Sequence, residues 1–308
     1  MKIIKITPNF YDIQLDLKGT NFTSTLSSWA YKDDELCFLL DTGPTATIDT
    51  LKYALNKIGI KENDLNYILI SHIHQDHAGG VGELIKSFPK AQVICHPRGI
   101  KHLINPKKLW EGSLKVLGKV AELYGEIIPV PEDRIFYQEE LANGKIRVID
   151  TSGHAPHHQS YLFDKYLLIG EAAGVNIPIP GKIYTRPATP PVFNYEIYIS
   201  NIQKLLEGDL GANKICYAHY GMKDDVDAML KIAKEQLTIW VQVINELLDS
   251  KHELDYFERV ISELKKNDKY FANLDASDKN KKENEFFFVE NSIRGITDYL
   301  ENKKKSLK

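Results

Sequence analysis

Apolar positions along this chain fall into short continuous runs that alternate with stretches of helical spacing. The opening Ile3-Ile4-Lys5-Ile6 reads as a first strand, and residues 27–31 and 35–41 carry β-favouring side chains around the polar turn Lys32-Asp33-Asp34, which predicts a hairpin. Ile48, Leu51, Ala54, Leu55 and Ile58 recur at helical intervals, with Gly59 as a stop. Tyr67-Ile68-Leu69-Ile70 predicts a buried strand. A helix over 79–88 stopped by Pro89, a strand over 91–95 and a helical stretch over 106–124 that carries Gly112 and Gly118 follow. Strands are expected at 145–150, 161–170 and 214–217, and helices at 195–207 and 224–248. Five prolines between 174 and 192 predict a long irregular loop. Two helices, near 253–266 and 286–302, close the pattern, and Lys303-Lys304-Lys305 reads as a frayed, solvated end. The hairpins exclude an all-parallel sheet. The expected architecture is an α+β or α/β sandwich of mixed sheets over 1–222, with a C-terminal helical extension over 223–308 packed on it.

The polar residues that interrupt this pattern are not scattered. Ser71-His72-Ile73-His74-Gln75-Asp76-His77 sets three imidazoles and a carboxylate directly after the apolar run 67–70 and before Ala78-Gly79-Gly80. In a loop leaving a strand, His72 and His74 project to one side and can share an ion, while Asp76 and His77 turn toward a second position. Imidazole and carboxylate suit zinc, iron or manganese. Four clustered ligands cannot fill two sites, and further candidates stand at other strand tips. Val148-Ile149-Asp150 leads to His154, Leu167-Leu168-Ile169-Gly170 to Glu171, and Ile215-Cys216-Tyr217-Ala218 to His219. One sheet edge could collect all of them.

Together these residues resemble the metallo-β-lactamase superfamily over roughly 20–222, including Leu39-Leu40-Asp41-Thr42-Gly43 as the strand and turn that precede the cluster. The resemblance implies an αββα sandwich with the site at one edge between the sheets. It implies two divalent ions, zinc first, with iron or manganese as alternatives. His72, His74 and His154 would hold one ion and Asp76, His77 and His219 the other, with Glu171 between them. A bridging water or hydroxide would be the nucleophile, and Asp76, as the catalytic residue, would orient it and handle its proton. The family usually has Asp where Glu171 stands, and the longer side chain is compatible with bridging two ions, with ligating one, or with a weak second site. His158 and Asp41 would support the ligands by hydrogen bonding. Arg186, Phe193 and Tyr195 are candidate substrate contacts, and His157 a local hydrogen-bonding residue.

Composition narrows the function. The chain has 308 residues, 43% of them hydrophobic, with 39 Lys and Arg against 42 Asp and Glu. The balance of −3 gives no nucleic-acid footprint. Cys37, Cys95 and Cys216, odd in number and widely spaced, argue against a disulfide framework, and Cys95 and Cys216 fall in strands as small buried hydrophobes. No apolar run reaches the roughly 18 residues of a membrane span, and the start does not read as a signal peptide. The expectation is a cytoplasmic metal-dependent hydrolase of a small ester, thioester or lactone, without nucleic-acid or membrane partners and with homodimerisation open. Alternatives are a metal-binding regulatory or interaction protein with incidental hydrolysis, and a phosphodiesterase of the same superfamily. Diiron redox members usually carry Glu where His74 stands, so the cluster argues against them.

Overall fold

The computed structural model describes residues 1–17 and 25–306; residues 20–24, where the family resemblance begins, lie outside the described residues. The first sheet contains β1 (Lys2–Lys5), β2 (Phe10–Leu15), β3 (Leu26–Lys32), β4 (Cys37–Leu40), β5 (Tyr67–Leu69), β6 (Gln92–Ile94) and β7 (Ile135–Phe136), side by side in chain order. Its first four strands are antiparallel, and β4 to β7 are parallel. The β3–β4 turn forms because the Asp33 carboxylate accepts from the backbone N–H of Glu35 and of Leu36, at 2.8 and 2.7 Å.

Parallel neighbours need crossovers. Helix α1 (Ile48–Lys57) supplies the first, burying Ile48, Leu51, Ala54 and Leu55 along one face. The short helices α2 (Gln75–Ala78) and α3 (Val81–Leu84) supply the second. The helical stretch over 106–124, whose glycines count against one unbroken helix, forms α5 (Lys107–Leu117) and α6 (Lys119–Tyr124), after α4 (Pro97–Ile104); they part at Gly118, whose φ is 54°.

The second sheet begins with β8 (Glu140–Leu141), β9 (Ile146–Asp150), β10 (Gln159–Phe163) and β11 (Tyr166–Gly170). Next comes a separate hairpin, β12 (Val175–Ile179) and β13 (Lys182–Arg186), in the segment expected to be irregular. Only Pro178 of the five prolines lies in a strand, and it is tolerated because a two-stranded ribbon has two free edges. The pair beside the two-residue turn is Ile179–Lys182, so the nitrogen of Pro178, one place further along, faces away from the partner strand. Helix α7 (Tyr195–Glu207) follows, and β14 (Lys214–Tyr217) and β15 (Met222–Asp224) complete the order β15-β14-β11-β10-β9-β8.

The central strands of both sheets are buried on both faces. Phe38 and Leu40 lie with Trp29, Leu69, Tyr161, Phe163 and Leu168 between the sheets, whereas Cys37 and Leu39 join Ile68, Val93 and the α1 side chains on the outer face. Leu167 and Ile169 pack outward with α7, α8 (Val226–Glu246), α9 (Tyr256–Asn267) and α10 (Lys279–Ser306) through Ile202, Trp240, Val260, Ile293 and Ile296. The helical extension therefore shares a core with the second sheet. Gly295 of α10 is needed for this docking, since a Cβ there would lie 1.9 Å from the Thr189 carbonyl oxygen. The lysines at 303–305 are not frayed: the helix runs to Ser306, and Lys303 Nζ lies 2.6 Å from Glu196 Oε1. Among the described residues no helix is long and apolar enough to cross a membrane.

Candidate metal centre

Strands of both sheets end at the same rim. After β4, Asp41 adopts a left-handed backbone (φ 57°), and its carboxylate organises the loop after β5. Oδ1 accepts from the Ser71 N–H at 2.8 Å and Oδ2 from the Ser71 hydroxyl at 2.7 Å, and Oδ2 also stands 3.3 Å from His77 Nδ1. Ser71 Oγ lies 3.0 Å from His72 Nδ1. Buried Gln75 pins α2 to α6 by donating to the carbonyls of Ala121 and Gly125, at 3.0 and 2.7 Å. From the second sheet, β11 delivers Glu171. His158 Nε2 accepts from the Glu171 N–H at 3.0 Å while its Nδ1 contacts Thr151 Oγ1 at 2.8 Å. Gly170 permits this, because a Cβ there would lie 2.6 Å from His158 Nε2. β14 delivers His219, and the turn after β9 delivers His154.

The convergence is tight. His154 Nε2 lies 3.2 Å from His72 Nε2, 3.1 Å from His74 Nδ1 and 3.1 Å from Glu171 Oε2. Glu171 Oε2 is also 3.3 Å from His72 Nε2 and 3.6 Å from His77 Nε2, and its Oε1 is 3.4 Å from His219 Nε2. Asp76 Oδ2 stands 3.3 Å from His77 Nε2 and 3.8 Å from His219 Nε2. Two groups result, His72, His74, His154 and Glu171 in one and Asp76, His77 and His219 in the other, each with its ligand atoms within 4.8 Å of one another. Glu171 turns an oxygen toward each. The structure thus brings together all seven residues named as ligands, and places Asp41 and His158 against them.

Hydrogen-bond partners assign the tautomers. His154 Nδ1 faces the Ala188 carbonyl at 2.9 Å and His219 Nδ1 the Thr25 carbonyl at 3.1 Å, so both nitrogens carry hydrogen. His77 Nδ1 faces Asp41, and His72 Nδ1 faces a hydroxyl whose own hydrogen goes to Asp41. All four imidazoles therefore turn Nε2 inward. Burial would lower His77, but Asp76 and Asp41 outweigh it and raise this imidazole well above the usual histidine range, so its Nε2 holds a proton that a cation would displace. Burial and the neighbouring His77 and His74 hold His72 well below the usual histidine range, and burial and His154 bring His74 down to about 4. At neutral pH His72 and His74 are therefore uncharged where they meet His154 Nε2. His77 Nε2 is buried without a hydrogen-bond partner. Burial would raise Asp76, yet His77 and His219 outweigh it and bring the carboxyl to about 2; His154, His219 and His72 likewise hold Glu171 low against its burial. Facing lone pairs, an orphaned nitrogen and ionised carboxylates fit divalent cations, for which nitrogen and oxygen donors of this kind are suited.

Removing the Asp41 charge tests the support. Asn tolerates the left-handed backbone, so Asp41→Asn is expected to fold but to bind metal about 10- to 100-fold more weakly in chelator competition. Unchanged affinity would reduce Asp41 to a space-filling role.

The substrate candidates land differently. Arg186 lines the adjoining cavity but is buried and ion-paired with Glu285 of α10, so it is not a free anion clamp. Phe193 and Tyr195 lie outside the cavity lining: their rings pack on Tyr299 of α10, with centroids 5.5 and 6.3 Å away. His96 is buried and caps α4 by accepting from the Arg98 N–H at 3.1 Å. His157 accepts from the Ile73 N–H at 3.4 Å, and Cys95 and Cys216 are fully buried. Sequence reading missed the carbonyls of Ala188 and Thr25, which orient two ligands through the backbone. It also missed Ser292, whose carbonyl accepts from Thr189 Oγ1 at 3.0 Å and whose hydroxyl donates to the Pro187 carbonyl at 3.2 Å, clamping the segment that carries Ala188.

A family model of the metallo-beta-lactamase superfamily matches residues 25–219. A metallo-beta-lactamase fold-containing protein of Sulfurisphaera tokodaii is 31% identical over 225 residues, covering 68% of this chain and 80% of that protein. A hydroxyacylglutathione hydrolase of Actinobacillus pleuropneumoniae is 29% identical over 147 residues, covering 47% of this chain and 48% of the enzyme, so the chain spans about half of that relative. Among solved structures, a metallo-beta-lactamase family protein from Thermus thermophilus matches the fold with a TM-score of 0.64 at 21% identity, over 97% of this chain and 95% of that one.

Proposed function

This chain belongs to the metallo-beta-lactamase superfamily and is a metal-dependent hydrolase, and we propose that it cleaves a small carboxylic ester, thioester or lactone at a centre that takes two divalent ions, zinc first. One observation carries the reading: inward-facing imidazole nitrogens gathered around a carboxylate that turns one oxygen to each group. His72, His74 and His154 would hold one ion, and Asp76, His77 and His219 the other, with Glu171 between. Bound there, divalent ions polarise an acyl carbonyl and lower the pKa of water to about 7. The chain's own groups do the rest. Asp76 is a carboxylate at neutral pH, so its Oδ atoms can orient a water and take its proton. Asp41, Ala188 and Thr25 keep His77, His154 and His219 in the tautomer that presents Nε2. A hydroxyacylglutathione hydrolase among the relatives favours acyl over phosphoryl substrates, and so does a net charge of −3, which disfavours polyanions.

The test is a panel of esters, thioesters, lactones and phosphodiesters against protein loaded with zinc, iron or manganese, with metal content measured by mass spectrometry. Turnover of an acyl compound that chelation abolishes and metal restores is expected. A fully loaded protein that cleaves only phosphodiesters, or nothing, would overturn the reading, and one ion per chain at saturation would overturn the two-ion centre.

A further inference from the structure

Beside the ligands lies a cavity of about 500 Å³, within the size range of small-molecule sites. Two of its walls come from helices outside the sandwich layers. From α5, Leu109, Val116 and Leu117 line it, and from α10, Phe288; the loop at Pro190, Pro191 and Val192 closes a third side. None of the residues of helix α5 is buried: Leu109 packs on the margin of the first-sheet core, and with Val116 and Leu117 it faces the cavity. Val116 and Val192 are 53% and 78% exposed.

The charge of the lining is as telling. Arg186 is answered inside the wall: its Nε pairs with Glu285, to which the Tyr184 hydroxyl also donates at 2.8 Å, and its guanidinium lies 5.8 Å from the Phe288 ring centre. Apart from histidines, the other cation of the lining is Lys108, which is exposed on α5. A substrate with a multiply anionic head finds no cradle here, whereas an alkyl or aryl group finds walls on three sides.

We infer that the cavity takes the apolar acyl group of the substrate, a saturated chain of medium length whose carbonyl lies at the ligand cluster and whose tail runs beneath α5 toward Phe288 and Val192. This rests on the hydrolase reading and narrows it, because it selects apolar acyl compounds over hydroxyacyl compounds with charged heads. Each methylene that leaves water adds about threefold to transition-state binding until the cavity is filled.

The experiment uses the metal-loaded full chain with 4-nitrophenyl esters and N-acetylcysteamine thioesters of acetyl to dodecanoyl length, and calorimetric binding of acetate and decanoate. The expected result is a kcat/KM that climbs about threefold per methylene before levelling, together with decanoate binding at least about 100-fold tighter than acetate. Gly112 lines the cavity, and a Cβ there would meet nothing within 4 Å, so Gly112→Trp can fold and obstruct the space. It is expected to lower the decanoyl-to-acetyl ratio of kcat/KM at least about tenfold. Turnover that is flat with chain length would overturn the acyl-cavity inference and leave the hydrolase reading standing. Absence of any turnover would overturn the hydrolase reading, and the inference would then stand or fall on whether decanoate outbinds acetate and Gly112→Trp removes the difference.

Discussion

Replacing His154 with alanine is expected to lower kcat/KM by at least about 10³-fold and to reduce the metal content of the purified protein. His154 Nε2 is the atom that meets His72, His74 and Glu171 together, so its loss breaks the first ligand group at its centre. Bound ions supply several kcal/mol of transition-state stabilisation, which is about three powers of ten or more in rate. The same variant separates chemistry from folding. Metal at 1,000 times its Kd stabilises a folded site by about 4 kcal/mol, so the loaded parent should unfold well above its chelated form. In His154→Ala that difference should shrink, while its chelated form should be no less stable than the chelated parent, because one inward lone pair is gone. Undiminished turnover with two ions retained would remove His154 from the ligand set.

Truncating Glu285 to alanine is expected to destabilise the protein by about 3–5 kcal/mol in denaturant titration. Arg186 and Glu285 are 5% and 2% exposed, and Arg186 remains charged when its partner is removed. The Tyr184 hydroxyl loses its acceptor in the same step. The double variant Arg186→Met, Glu285→Leu should recover most of the loss, since a buried pair exchanged for apolar side chains of similar volume is close to neutral. A Glu285→Ala midpoint within about 0.5 kcal/mol of the parent would mean that the guanidinium reaches water.

The layers of the sandwich and the ligand cluster were legible in the chain because both have short-range signals. Strands buried on both faces read as continuous apolar runs, as Tyr67 to Ile70 does, and each run here ends where a histidine or carboxylate begins. What escaped was long-range or carried by the backbone. Nothing near Arg186 in the sequence announces Glu285, 99 residues away, so an internally paired arginine looked like a substrate clamp. Phe193 and Tyr195 looked like pocket aromatics because the docking of Tyr299 against them has no local trace. Ala188 and Thr25 act through carbonyl oxygens, which every residue possesses. The β12–β13 ribbon was hidden by five prolines, of which Pro178 alone lies in a strand, on the unpaired outer edge, while the others sit in the turn or follow β13.

The candidate ligands are divided between the two halves of the molecule: His72, His74, Asp76 and His77 follow a strand of the first sheet, and His154, Glu171 and His219 follow strands of the second. A cation seated among them is consequently a cross-brace over one margin of the sandwich. Emptied, that margin would keep its nitrogens pressed against one another with nothing to reconcile them, and it would become the seam along which the layers first part. Starvation for metal would then cost the protein its fastening along with its chemistry.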